Sequence, residues 1–443
     1  MRRLLIAPLA LGLTAAAPWP DGNWQGQLTL PSGASLPLTL DIAPGGAVLH
    51  SPAQGNAAIP ATIEDAHGAV ILRLPSIGAT FSPTETAGDV LDGPFVQHGA
   101  TLKAHFERGT VKAAADTPTP PFPYETRDLT IPAAGGITLA ATLDLPRGAG
   151  PFPAVLLIAG SGRQTRDEAV AGHRPFLFLA DRLARAGIAS LRYDKRGVGD
   201  SGGDHATTTE AALTADAKAA FATLRTQPGI APGAVGLLGH SEGGIIAAEL
   251  GAADGEVRFV VLLSSPALSG AETLVAQVHA LALGAGAGPQ AADHAAAQEK
   301  RLLEAELAAP TPAAAADAVR SLLSAQGAPQ AAIATATQTA ASPWFASFLR
   351  SDPRPALSKL RIPVLAIAGS RDVQVVPSAT LPALRQALAA DPQARVVERD
   401  GLNHLLQPAT TGMPSEYAQI GPTMDPAVPQ MIADWIKTFA NHP

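Results

Sequence analysis

Val235-Gly236-Leu237-Leu238-Gly239-His240-Ser241-Glu242-Gly243-Gly244-Ile245-Ile246-Ala247-Ala248-Glu249-Leu250 passes from a short apolar run, through a glycine-framed serine, into an apolar helical run. A tight strand-to-helix turn at this point would hold the Ser241 hydroxyl proud of the sheet edge, at the cost of a strained backbone. Side chains at Gly239 and Gly243 would collide with neighbouring elements in such a turn. The helix start also leaves backbone N–H groups free beside the serine. A bare G-x-S-x-G is common, but the strand–turn–helix context is specific and makes Ser241 the candidate nucleophile.

Working outward, solid apolar runs recur at Ala154–Ala159, Ala189–Arg192, Phe259–Leu263, Val364–Ala368 and Arg395–Val397. Unbroken runs of this length are strands buried on both faces, hence a mostly parallel sheet flanked by helices. Thr207-Thr208-Thr209-Glu210 reads as a capping box opening a helix with Leu213, Ala217, Phe221 and Leu224 on one face. The resulting expectation is a doubly wound α/β domain over 124–443. Between Ser264 and about Arg350 there is only Ala-rich helical sequence, read as a helical cap at about 266–350.

A nucleophilic serine needs a base, and the base needs an orienting acid, in the chain order Ser, acid, His on this fold. Asp372 stands a few residues past the strand 364–368, and His404 stands in the loop after 395–397. Asp400 and Glu398 are rival acids, but they share a strand and loop with His404. The oxyanion of a tetrahedral intermediate needs two donors. Glu242 N–H is one; Ser161 N–H, in the loop after 154–159, is the other, or Gly162 if that turn is one residue longer. His240 reads as a packing residue.

The remaining signals bound the function. Residues 18–116 carry short alternating runs separated by Gly, Pro and Asp turns, which suggests a small β sandwich or barrel. The Pro-rich stretch 117–123 reads as a linker. Met1-Arg2-Arg3, the apolar run Leu4–Leu13 and the small residues ending at Ala17 have the order of a signal peptide over 1–17, implying export to the periplasm or beyond. The 443 residues contain no Cys, and 31 Lys plus Arg against 38 Asp plus Glu give a net charge of −7. That rules out disulfides and thiolate chemistry and provides no basic footprint for nucleic acid. No apolar run reaches membrane-spanning length, and no metal or organic cofactor is called for. Gly197-Val198-Gly199-Asp200-Ser201-Gly202 fits the dinucleotide pattern G-x-G-x-x-G, but Asp194-Lys195-Arg196 separates it from its strand and the helix starts too late.

Several of these stretches together resemble bacterial carboxylesterases of the EstD type. They are Gly160-Ser161-Gly162 with Arg166-Asp167-Glu168, Arg192-Tyr193-Asp194-Lys195-Arg196-Gly197-Val198-Gly199, the elbow itself, and Gly401-Leu402-Asn403-His404-Leu405-Leu406-Gln407 with Thr411-Gly412 and Glu416-Tyr417. The resemblance covers about Tyr124 to the C-terminus. It implies a capped α/β-hydrolase core, a triad at Ser241, Asp372 and His404, and a small-molecule ester as substrate. The alternatives are an exopeptidase or amidase on the same fold, or a binding protein that has kept it. Asp167-Glu168 is the one adjacent acidic pair available to grip a free amine, and nearby arginines make internal ion pairing its expected role.

Overall fold

The structure, a computed structural model, describes residues 22–440 apart from 30–34, 44–45, 51–57, 67–68, 87–89, 98–99, 109–113 and 329. The signal-like segment 1–17 lies outside the described residues. The chain divides into two compact units between Thr110 and Val111.

The first unit is all β. Its strands are β1 (Gly22–Thr29), β2 (Ser35–Ala43), β3 (Gly46–His50), β4 (Ala58–Ala66), β5 (Ala69–Leu74), β6 (Ala79–Phe81), β7 (Thr84–Thr86), β8 (Val90–Gln97) and β9 (Ala100–Arg108). Neighbours pair antiparallel in the order β6-β5-β4-β3-β2-β1-β9-β8, and pairing of β6 with β8 closes this ring of eight into a barrel. β7 continues along the same edge of β8, pairing with its first residues as β6 pairs with its last. Closure removes open edges, and the alternate residues Trp24, Leu28, Leu38, Leu40, Leu72, Leu74, Phe81 and Phe106 fill the interior.

The second unit holds an eight-stranded sheet. Its strands are β10 (Glu125–Ala133), β11 (Ile137–Leu145), β12 (Phe152–Ile158), β13 (Ala189–Tyr193), β14 (Ile230–His240), β15 (Val260–Leu263), β16 (Val364–Gly369) and β17 (Arg395–Arg399). The order is β10-β11-β13-β12-β14-β15-β16-β17. β10, β11 and β13 pair antiparallel, and every pairing from β13 to β17 is parallel. Helices α1 (Pro175–Arg185), α2 (Glu210–Arg225) and α3 (Glu242–Ala253) follow β12, β13 and β14. On β12, Leu156 and Ile158 pack into one core, while Val155 and Leu157 pack into a second core on the other face. Each fully buried side chain of this kind contributes roughly 1.5–3 kcal/mol.

Between β15 and β16 lie α4 (Gly270–Gly284), α5 (Pro289–Ala308), α6 (Pro312–Ala325), α7 (Gln330–Ala340), α8 (Pro343–Arg350) and the short α9 (Arg354–Leu357). α10 (Pro377–Ala387) follows β16, and α11 (Ala427–Ala440) closes the chain.

Two expectations are revised. Residues 117–123 belong to the larger unit, because Asp116 accepts hydrogen bonds from Thr423 N and Oγ1, and Tyr124 is buried. The capping box at Thr207–Glu210 does not form. Thr209 caps α2 by accepting from Ala212 N, and the Glu210 side chain is buried instead. A complete capping box stands at Ser269–Glu272, at the start of α4.

Candidate active site

The chain leaves β12 to one side of the sheet, for β13, and later returns to the other side, for β14. Such a reversal opens a crevice at the carboxyl ends of the two strands. Ile158 pairs with Gly239, so the loop after β12 lies beside the turn after β14.

Ser241 occupies that turn at φ 53° and ψ −123°, and its N–H donates to Leu263 O at 2.9 Å. A non-glycine residue in this region stores roughly 1–3 kcal/mol of strain. The two glycines are required by close approach. A Cβ on Gly239 would stand 2.1 Å from Gly243 O, and one on Gly243 would stand 2.0 Å from Ile158 O. Glu242 is the first residue of α3, so its N–H has no acceptor within the helix.

Asp372 follows the end of β16, and its Oδ1 accepts from Gln374 N and Val375 N, each at 2.8 Å. Its Oδ2 meets His404 Nδ1 at 2.8 Å, with both side chains buried. Oriented in this way, the ring keeps Nε2 for other work. Asn403 shapes the histidine loop: its Oδ1 accepts from Leu405 N and Gln407 N, each at 3.0 Å. Of the rival acids, Asp400 accepts from Ser370 Oγ, and Glu398 lies on β17. Ser241, Asp372 and His404 therefore stand at the carboxyl ends of β14, β16 and β17.

In the loop after β12, Gly160 presses against the Ser241 turn: a Cβ there would lie 3.2 Å from Ser241 Cβ. Ser161 follows it, and Gly162 has φ 87°.

Two buried charge clusters brace these loops. Glu168, itself at φ 53°, accepts from Gly160 N at 2.6 Å and from His240 Nδ1 at 2.9 Å. His240 Nε2 reaches His404 O at 3.0 Å. A carboxylate on one ring nitrogen and a carbonyl on the other favour the protonated ring. Burial pulls its pKa down, but Glu168 and the His404 carbonyl raise it above the usual histidine value. His240 is thus an ion-paired strut, where the sequence suggested packing alone.

In the second cluster, Lys195 Nζ donates to Gly160 O at 2.5 Å and to Glu242 Oε2 at 2.7 Å. Trp344 Nε1, on α8, donates to Glu242 Oε1. Burial pushes the Glu242 carboxyl up, but Lys195 and the bonds from Glu210, Lys195 and Trp344 bring it below the usual range. Glu210 moves the other way, raised by burial and by the Glu242 charge. The sequence contained these residues in its Arg-Asp-Glu and Asp-Lys-Arg motifs, but nothing local to either motif shows which distant loop it reaches.

The decoy loop has a structural role. Ser201 Oγ accepts from Ala140 N and donates to Asp194 O, and Arg166 pairs with Asp194. Asp167 pairs with Arg192 and Arg174, and Glu168 with His240, so the acidic pair is engaged internally. Among the described residues, no group of three or more His, Asp or Glu is placed to hold a metal, and no helix is long and apolar enough to cross a membrane.

A sheet of this order, with a strained serine at the β14 turn and an Asp–His pair in the loops after β16 and β17, defines an α/β-hydrolase. Residues 174–407 match the model of the Hydrolase_4 family, described as serine aminopeptidase, S33, and the chain belongs to that family of hydrolases. It is 28% identical over 320 residues to esterase EstD of Thermotoga maritima, a match covering 71% of this chain and 68% of that one. It is similar to the solved Pyrococcus furiosus esterase Pf2001, at 14% identity and a TM-score of 0.44, over 72% of this chain and 92% of that one. For the α/β hydrolase GrgF from Penicillium sp. sh18 the figures are 15%, 0.46, 72% and 100%.

Proposed function

We propose that this enzyme is a serine carboxylesterase working through an acyl-enzyme. The observation that carries the reading is the 2.8 Å Asp372–His404 bond, at the same carboxyl edge of the sheet as the strained Ser241 turn. Ser241 Oγ attacks the ester carbonyl while His404 Nε2 takes its proton. The oxyanion forms on the N–H groups of Glu242 and Ser161. His404 returns the proton to the departing alcohol, and water repeats the sequence on the acyl-Ser241 ester. Asp372 holds the imidazole tautomer throughout and stabilises the imidazolium.

The helices between β15 and β16 serve as a cap that shapes the acyl site. The six helices α4 to α9 inserted there support this, and α4 and α5 with the start of α10 enclose a cavity of about 860 Å³, lined by Val275, Leu303 and Val376 among others and by none of Ser241, Asp372 and His404. The segment 1–17 directs export, which N-terminal sequencing of the mature protein from cell fractions would check.

Incubation with a fluorophosphonate tests the central assignment. Mass mapping is expected to place the label on Ser241; a label on any other serine overturns the assignment. The family description favours a second reading, an aminopeptidase. Against it, both Asp167 and Glu168 are engaged, leaving neither free to hold a substrate amine. Matched acyl esters and aminoacyl anilides separate the two. The ester reading expects the higher kcat/KM on esters, and the reverse order would support the peptidase.

A further inference from the structure

The Gly160–Ser161 peptide is a single planar unit carrying the Gly160 carbonyl on one side and the Ser161 N–H on the other. It is trans, so the two groups point in opposite directions. Whatever holds the carbonyl therefore aims the N–H. Lys195 Nζ holds it at 2.5 Å, and Lys195 is only 2% exposed. The same ammonium bonds the side chain of Glu242, the residue directly after the nucleophile.

We propose that Lys195 is a positioning residue for the oxyanion hole. It turns the Ser161 N–H toward the site and ties that loop to the turn carrying the Glu242 N–H. Charge strengthens the effect, because an ammonium on a carbonyl polarises the peptide and makes its N–H a better donor. The neighbouring peptide is held as well: Gly160 N–H donates to Glu168 Oε1 at 2.6 Å. Gly160 is thus fixed on both sides while it lies against Ser241, where an added Cβ would come within 3.2 Å of Ser241 Cβ. Trp344 and the raised carboxyl of Glu210 complete the surroundings of Glu242, so Lys195 faces a carboxylate held ionised.

The inference rests on Ser241 being the nucleophile, and the experiment separates the two claims. Lys195→Met is assayed on a soluble ester, with kcat expressed per fluorophosphonate-titrated site so that misfolded protein does not count. Losing one oxyanion donor lowers kcat by ~10²–10³-fold, so misaiming one is expected to cost on the order of 10²-fold with KM little changed. A trifluoromethyl ketone, which forms a tetrahedral oxyanion on the serine, is expected to bind more weakly by a similar factor. Lys195→Arg, which keeps a buried cation, is expected to recover part of both losses. If Lys195→Met does not fold because Glu242 is left charged and buried, Lys195→Met with Glu242→Gln carries the same test. Unchanged kcat per titrated site, or unchanged ketone affinity, in a folded variant overturns the role of Lys195. Failure of Ser241 to take the label in the wild-type protein would instead overturn the nucleophile.

Discussion

The strand ends that carry Ser241, Asp372 and His404 are built on different terms from the helices between β15 and β16. At the strand ends backbone meets backbone: Gly239 and Gly243 leave no room for a methyl group, and Asp372 is fixed by two N–H groups and a histidine. The helical segment is held by small clusters, such as Ala315, Ala316, Val319 and Ala340 in one and Leu303, Phe345 and Leu349 in another. It leaves Leu283, Leu307 and Leu322 exposed on its surface. Chemistry demands sub-ångström placement and occupies the close-packed region. A segment with few fixed contacts can change its lining without disturbing the reacting groups. α8 joins the two, through Trp344 to Glu242 and Ser347 Oγ to Glu210 N.

This contrast can be broken most forcefully at the elbow. Gly243→Ala places a methyl against the Ile158 carbonyl, which cannot move without shifting β12. It is expected to cost at least about 3 kcal/mol in urea unfolding, or to prevent folding. A stable, active Gly243→Ala protein would show that the turn is not tight.

A smaller effect is expected from His240→Gln, about 2 kcal/mol, because it leaves Glu168 buried without its cation. The folded pKa of His240 is raised above the ordinary 6.5. Its contribution is therefore complete below about 6.5, the unfolded value, and is lost as pH climbs through the raised folded value. The stability gap between wild type and variant is expected to narrow in that direction across a pH series. A gap that widens toward alkaline pH would deny the ion pair.

The smallest effect is expected in the helical segment. Val275→Phe narrows the cavity and is expected to shift the ranking of acyl lengths, with less than about 1 kcal/mol change in stability. An unchanged ranking across a homologous ester series would make the segment a crossover with no part in selectivity.

Ser241, Asp372 and His404 stood out in the sequence because each follows a solid apolar strand, and the structure brings the last two within hydrogen-bond distance of each other. Ser161 and Glu242 were placed by the same strand ends. The barrel was legible as one of two alternatives, a small sandwich or a barrel, since strands as short as β6 and β7, at three residues each, carry too little periodicity to show closure. His240 and Lys195 were misjudged or missed because their partners lie 72 and 47 residues away. Glu210 was misread for a related reason: beside an apolar helix face it looks like a cap, but tertiary contact draws it toward Glu242. In the helical segment the sequence did not show which apolar residues, such as Val275 and Leu303, line the cavity. Helical period alone did not say which face looked inward.

The account depends most on one atom, the Ser241 hydroxyl. Ser241→Ala removes it and adds nothing, so the far-ultraviolet circular dichroism and unfolding midpoint are expected to stay close to wild type. kcat/KM on a soluble acyl ester is then the direct measurement. It is expected to fall by roughly 10⁴-fold or more, since the triad works as a unit. Turnover within about tenfold of wild type by the same folded variant would contradict nucleophilic catalysis at this site.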